Sequence, residues 1–280
     1  MLLVAKPAGP TSHDVVDVVR RALGVRRVGH LGTLDPFADG LLVLVVGRAT
    51  RLAAFATGWR KEYRGTMRLG VVTATDDLTG APLATSDAWR GLDRAAVEAA
   101  LDRQRGVGWQ RPPAHSAVKV AGERAYRKAR RGESVALAPR QVEIAALELE
   151  SWVPPDVRFR AEVSGGTYVR SLARDVGETL GCGAHLVALT RTAVGPFRLE
   201  QAVPPERVSA ADLRPATLLV GELPTRELAA GERDAVIHGR TITAAAADGE
   251  GRVALLHDGG LVAVAEVAGG VLKPRVVVAE

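Results

Sequence analysis

The densest chemistry in the chain lies in Gly29-His30-Leu31-Gly32-Thr33-Leu34-Asp35-Pro36-Phe37-Ala38-Asp39-Gly40, where twelve positions hold three glycines, a proline, a histidine and two aspartates. Glycines let a backbone turn tightly and approach a ligand. A carboxylate held in such a loop can serve as a nucleophile or a general base. The same residues also fit a plain solvated turn, because Asp before Pro is a common turn signal. A second candidate is Ser164-Gly165-Gly166-Thr167-Tyr168-Val169-Arg170, in which a glycine turn delivers Tyr168 and Arg170 into the first turn of a helix. An arginine there can pair with a buried carboxylate, grip a phosphate, or form an ordinary surface ion pair. Arg111 to Lys119, followed by Arg124, Arg127, Lys128, Arg130 and Arg131, is either a basic binding surface or a solvated helix face.

Other chemistries fail on pattern. The phosphate-loop sequence G-x-x-x-x-G-K-[ST] is absent, which argues against an NTPase. Asp77-Leu78-Thr79-Gly80 has the form of an aspartic-protease turn, yet that chemistry needs two carboxylates sharing a proton and no second copy exists. The six histidines, at 13, 30, 115, 185, 238 and 257, show no ligand spacing, and Cys182 is the single cysteine. No metal site and no internal disulfide are expected.

These residues need elements to carry them. Leu2 to Ala5 reads as a strand, and Thr11 or Ser12 can cap a helix with Val15, Val16, Val19 and Leu23 on one face and Gly24 at its end. Leu41 to Val46 is a continuous apolar run that suits a buried strand, and Tyr63 to Val72 reads as another. Helices are expected over 92–103 and 123–131, and strands over 142–152 and 157–163. Thr167 is then placed to cap a helix bearing Val169, Leu172, Val176 and Leu180. Strands and helices mix without regular alternation, so the fold class is α+β. Residues 204–224 look like a connection with one short helix. Beyond it come short apolar strands at 235–238, 252–257, 261–267 and 275–278, a small all-β domain that must dock on the first or close as a barrel. The expected domains are 1–222 and 226–280.

Composition sets the class. Of 280 residues, 47% are hydrophobic and 25% charged, with no apolar run near the roughly 18 residues of a membrane span. The start, Met1 to Pro7, lacks the features of a signal peptide, so a cytoplasmic protein is expected. The net charge is +5, and 32 of the 37 basic residues are arginine. This bias suits a nucleic-acid partner and also simple compositional drift. Residues 223–280 hold six basic and eight acidic residues, so the positive charge lies in 1–222.

Together the segments resemble the TruB-type tRNA pseudouridine-55 synthases. Gly29 to Gly40 resembles that family's G-H-x-G-x-L-D-P-x-A-x-G motif, and Lys6-Pro7-Ala8-Gly9-Pro10-Thr11-Ser12 its K-P-x-G-x-T-S start. Lys61-Glu62-Tyr63-Arg64, Leu69 to Asp76, Pro112-Pro113 with Ser116 to Lys119, Gly165 to Arg170 and Gly181 to Leu186 follow in the family's order over most of the chain. The resemblance implies a pseudouridine-synthase catalytic domain with a mixed, mainly antiparallel sheet flanked by helices, and a PUA-like RNA-binding tail. It implies Asp35 as the catalytic aspartate, Tyr63 as the aromatic stacked on the uracil, and Arg170 as the cation paired with the aspartate. Leu189 would be an apolar wall, His30 would take the place of the flipped base, and Tyr168 would join Arg170 in binding substrate. The partner would be tRNA, held by its T-stem loop and acceptor stem, with no metal, cofactor or membrane and with the enzyme a monomer. His115 stands where the family often has tyrosine. Two other roles fit the resemblance: an RNA-folding factor that has lost the chemistry, and a guided enzyme acting on ribosomal RNA.

Overall fold

The structure, a computed structural model, describes residues 1–116, 118–120, 122–125, 128, 131, 133 and 137–279. The helix Ser12–Leu23 forms where its signals lie. The Thr11 hydroxyl accepts from Asp14 N–H at 3.1 Å, and the Asp14 carboxylate accepts from Thr11 N–H at 2.8 Å. This reciprocal box satisfies donors that a helix start leaves open. Gly24 ends the helix in the left-handed conformation. Val15, Val16 and Val19 are buried against Leu2, Val4, Leu42 and Leu44.

The large sheet runs Leu2–Lys6, Asp39–Val46, Ala184–Val194, Lys61–Leu69, Asp156–Val163, Arg140–Val153, Gly106–Gln110. Val28–His30 pairs with Asp39–Val46, and Phe197–Arg198 with Ala184–Val194. Among the described strands of this sheet, the only parallel pairing joins Asp39–Val46 to Ala184–Val194, with Thr190 opposite Asp39 and Arg191 opposite Gly40. The sheet is thus mixed and mainly antiparallel, as expected. The parallel junction matters because it sets the Asp35 loop beside the strand that carries Leu189. It also demands a glycine: Gly40 has φ +111°, and a Cβ there would collide with the Arg191 backbone.

Leu41 to Val46 is apolar throughout because both faces of the strand are covered. Leu42 and Leu44 pack on the first helix, while Leu41, Val43 and Val45 share a core with Ala254 and Val264 of a second, five-stranded sheet. That sheet runs Thr225–Glu227, Gly251–His257, Gly260–Ala268, Val271–Val277, Ile242–Thr243. The tail therefore docks on the first sheet. Arg51 donates to the Val277 carbonyl at 3.0 Å, and the Arg252 guanidinium lies 5.5 Å from the Phe55 ring centre.

Four expectations need correction. The strand over 63–72 is two, Lys61–Leu69 and Val71–Thr73, broken at Gly70, whose φ of +85° ends the extended run. The connection over 204–224 holds three short 3-10 turns, Pro205–Arg207, Ala210–Asp212 and Ala216–Leu219, in place of one helix. The tail is not all-β: the strand expected at 235–238 is the end of a helix, Ala230–Ile237, because a four-residue apolar run does not distinguish strand from helix. The helix expected over 123–131 lies in part outside the described residues: Ala125 and Lys128 are helical, but its expected start, Glu123–Arg124, pairs as a strand with Lys119–Val120.

Gly40→Ala is expected to cost at least about 2 kcal/mol, read as a fall in Tm of roughly 5 °C or more. Gly91→Ala, with open space around it and no left-handed φ, is expected to stay within about 0.5 kcal/mol.

Candidate active site

One cavity of about 870 Å³ is lined by His30, Asp35, Tyr63, Tyr168, Arg170 and Leu189, the six site residues expected from the sequence. The Asp35 loop connects Val28–His30 to Asp39–Val46, and its shape is set by donors to its main chain. The Ser12 hydroxyl donates to the Leu34 carbonyl at 2.9 Å and accepts from the Leu34 N–H at 2.8 Å. Gly9 N–H donates to Pro36 O at 2.7 Å. Lys6, 1% exposed, donates to the carbonyls of Ala38 at 2.6 Å and Pro7 at 2.9 Å. Burial lowers the Lys6 pKa to about 8, partly opposed by the nearby Asp39 and Asp35 charges, so the ammonium is still mostly protonated at neutral pH. Arg191, equally buried, donates to Leu41 O at 2.8 Å and Gly32 O at 3.1 Å.

Arg170 reaches this loop from the helix Val169–Thr179 and is 5% exposed. Its Nε donates to Asp35 Oδ2 at 2.8 Å and one terminal nitrogen to Oδ1 at 3.1 Å, a two-point grip on the carboxylate. The guanidinium also donates to the Thr75 carbonyl and the His115 carbonyl, both at 2.9 Å, and lies 3.5 Å from Asp77 Oδ2. Asp77 is itself buried, and its Oδ1 accepts from Thr75 Oγ1 at 2.6 Å and Thr79 N at 2.9 Å. One turn along the helix, Arg174 meets Asp76 at 3.2 Å. Burial raises the Asp76 pKa, against the pull of Arg174 and Arg170.

The helix does not start on Thr167. Its N-cap residue is Tyr168, without a side-chain cap bond, and Thr167 Oγ1 lies 3.2 Å from Ser164 Oγ. The Gln110 side chain secures the entry instead: its Oε1 accepts from Tyr168 N at 2.8 Å and its Nε2 donates to Tyr168 O at 3.1 Å. The Arg140 guanidinium lies 5.0 Å from the Tyr168 ring centre.

Tyr63 and Leu189 come from neighbouring antiparallel strands, with Tyr63 opposite Arg191 and Leu189 opposite Gly65. Residues two apart on a strand share a face, so one face of this pair contributes both side chains to the cavity. Tyr63 is 6% and Leu189 7% exposed. His30 Nδ1 is buried and without a hydrogen-bond partner among the described residues. Burial lowers the His30 pKa, helped by Arg191 and His13, which keeps the ring neutral at pH 7.

The TruB family pseudouridylate synthase N-terminal domain matches residues 20–169, and the tRNA pseudouridylate synthase B C-terminal domain matches residues 170–219. The chain belongs to the TruB family. It is 46% identical to the tRNA pseudouridine synthase B of Thermobifida fusca (strain YX), over 100% of this chain and 98% of that protein. Its identity to the protein of the same name from Synechococcus sp. (strain WH7803) is 44%, over 98% and 96%. Among solved structures, the chain superposes on a Cbf5-Nop10-Gar1 complex with TM-score 0.73 at 26% identity, covering 99% of this chain and 84% of that chain. It shares the fold of an H/ACA RNP bound to a substrate RNA containing 2'-deoxyuridine, at TM-score 0.72 and 23% identity, over 100% and 84%. The two TruB matches meet between Val169 and Arg170, inside the site helix.

Sequence reasoning missed two residues of this site and left a third without a role. Asp77 was legible only as half of a protease turn, Gln110 carried no signal of its own, and Lys6 was legible only as part of the K-P-x-G-x-T-S start. His115, where the family often has tyrosine, meets Arg170 through its main-chain carbonyl, a contact indifferent to the side chain. Among the described residues, the one grouping of metal-ligand type is Glu227, His257 and Asp258, on the second sheet and its turn and outside the cavity lining. No helix of the described chain is long and apolar enough to cross a membrane.

Asp77→Ala leaves a buried guanidinium and the Thr75 and Thr79 donors short of an acceptor. It is expected to cost about 3–5 kcal/mol, and the urea midpoint of unfolding checks it.

Proposed function

We propose that this TruB-family chain isomerises uridine-55 in the T loop of tRNA to pseudouridine, with Asp35 as its catalytic carboxylate. The observation that carries the reading is the two-point Arg170–Asp35 pair on the wall of a cavity large enough for a nucleoside. The reaction breaks the N1 to C1′ bond, turns the uracil and joins C5 to C1′. The C5 hydrogen leaves as a proton and N1 gains one, so atoms balance without a redox or energy cofactor. One carboxylate suffices for each of three routes: addition to C6 of the uracil, addition to C1′ of the sugar, or proton abstraction at C2′. All three need Asp35 as an anion, and the Arg170 guanidinium is its direct counter-charge.

The target must leave its stack, at a cost of a few kcal/mol. Tyr63 beside Asp35 would stack on the flipped uracil, worth about 1–3 kcal/mol and so comparable to that cost. Leu189 walls the base pocket, and neutral His30 fills the place the base leaves. Tyr168, fixed by Gln110, lines the entry. The basic excess of 1–222 supplies phosphate contacts, and the docked tail acts as a PUA-like grip on the acceptor stem through a local patch, since its own net charge is negative. The enzyme works as a monomer in the cytoplasm.

Tritium release from a tRNA transcript carrying 5-³H-uridine tests this reading, with the T-loop uridine replaced by cytidine as control. Wild type is expected to release tritium and the control to release none. Asp35→Asn is expected to lower the rate at least about 10³-fold, and Arg170→Lys, which loses the two-point grip, about 100-fold, each with the Kd for tRNA within about threefold. Undiminished release by Asp35→Asn removes it from the chemistry. Binding without release by wild type favours an RNA-folding role.

A further inference from the structure

Two buried cations line the same cavity and take no part in the proposed reaction. Lys61 is 7% exposed and Arg191 1%. They stand on the sheet face that carries Tyr63, Lys61 two residues before it and Arg191 directly opposite. They are also close to each other: a Cβ placed on Gly32 would lie 3.4 Å from Lys61 Cε and 3.5 Å from an Arg191 terminal nitrogen.

Neither cation has a carboxylate partner among the described residues. Lys61 Nζ donates to the carbonyl of Trp59 at 2.8 Å and, weakly, to that of Thr57 at 3.5 Å, while Arg191 donates to the carbonyls of Leu41, Gly32 and Thr33. An ammonium has three N–H donors, so at least one on Lys61 has no acceptor among the described residues. Burial and the adjacent Arg191 charge push the Lys61 pKa down to about 8. Two neighbouring buried cations with no counter-ion are unfavourable until an anion arrives. Arg170, by contrast, is already matched by Asp35 and Asp77.

We propose that Lys61 and Arg191 form an anion subsite in the cavity that takes a phosphodiester oxygen of the flipped nucleotide, at one of the two linkages flanking the target uridine. Lys61 makes the contact, and Arg191, held by carbonyls, raises the local potential and fixes the Gly32 turn. Base and phosphate then bind to one strand face, the uracil at Tyr63 and the linkage at Lys61. The inference rests on the reaction proposed above, in that it takes the target nucleotide into this cavity.

The test uses T-stem-loop RNAs carrying a neutral methylphosphonate at either the 5′ or the 3′ linkage of the target uridine, bound to wild type, Lys61→Met and Lys61→Arg. One linkage is expected to cost wild type and Lys61→Arg about tenfold in Kd and to cost Lys61→Met nothing further, since that variant has already lost the contact. The slope of log Kd against log salt is expected to fall by about one in Lys61→Met. Equal penalties in wild type and Lys61→Met at both linkages overturn the proposal. So does a Lys61→Met that loses kcat alone, which would place the cations on the detached base. Should Lys61→Met not fold, a wild type indifferent to methylphosphonate at both linkages overturns it equally. Conversion of the unmodified loop by wild type is measured alongside, so that absent conversion tells against the reaction and absent coupling against the subsite alone.

Discussion

A buried guanidinium must have all five N–H groups met, and Arg170 determines much of the site by that requirement. It donates to four acceptors, the two Asp35 oxygens and the Thr75 and His115 carbonyls, and forms an ion pair with Asp77 Oδ2 at 3.5 Å, with these partners drawn from three segments far apart in sequence. None can move alone without leaving a charge or a donor unsatisfied. The geometry of the Asp35 loop is therefore coupled to the Thr75–Asp77 turn and to the His115 stretch as well as to the helix that carries Arg170.

The remainder of the loop is held differently. Lys6 and Arg191 are buried cations that donate to main-chain carbonyls, where most buried cations pair with acids. A carbonyl partner fixes the backbone without neutralising charge or placing a second carboxylate beside Asp35. The parallel junction at Gly40 makes this possible, because it brings Arg191 within reach of Gly32 and Leu41. One topological feature thus gives the loop its stiffness and the cavity its positive wall.

What was legible in the sequence follows from the range of the interaction each residue makes. The first helix and its caps depend on neighbours within four residues, and they were readable at Thr11 and Gly24. The Gly29–Gly40 loop and the Thr167–Arg170 segment were readable as unusual local chemistry, although the pairing of Asp35 with Arg170 rested on resemblance alone. Asp77 was left without a role because its local signature, Asp-Leu-Thr-Gly, points only to a chemistry that the chain excludes, while its partner lies 93 residues away. Gln110 has the same difficulty: it replaces the expected Thr167 cap from a strand 58 residues upstream of Tyr168. The helix Ala230–Ile237 was hidden by its shortness, with Val236 the one fully buried side chain along it.

The cavity consequently has two sides with opposite electrical character. Around Asp35 the charges alternate, carboxylate against guanidinium against a second carboxylate, so the cation beside Asp35 is already committed to partners within the protein. Around Gly32 the charges are open, two cations facing only carbonyl dipoles. A nucleotide is itself divided this way, into a neutral base and an anionic backbone. A site that presented cations on both sides would attract RNA phosphates to the carboxylate, and one that neutralised both would rely on shape alone to orient the substrate. Strand alternation at residues 61, 63, 189 and 191 supplies the division with no additional element: the aromatic and aliphatic positions lie between and beside the cationic ones on a single face, so the order of side chains along two strands sets which end of the nucleotide meets which wall.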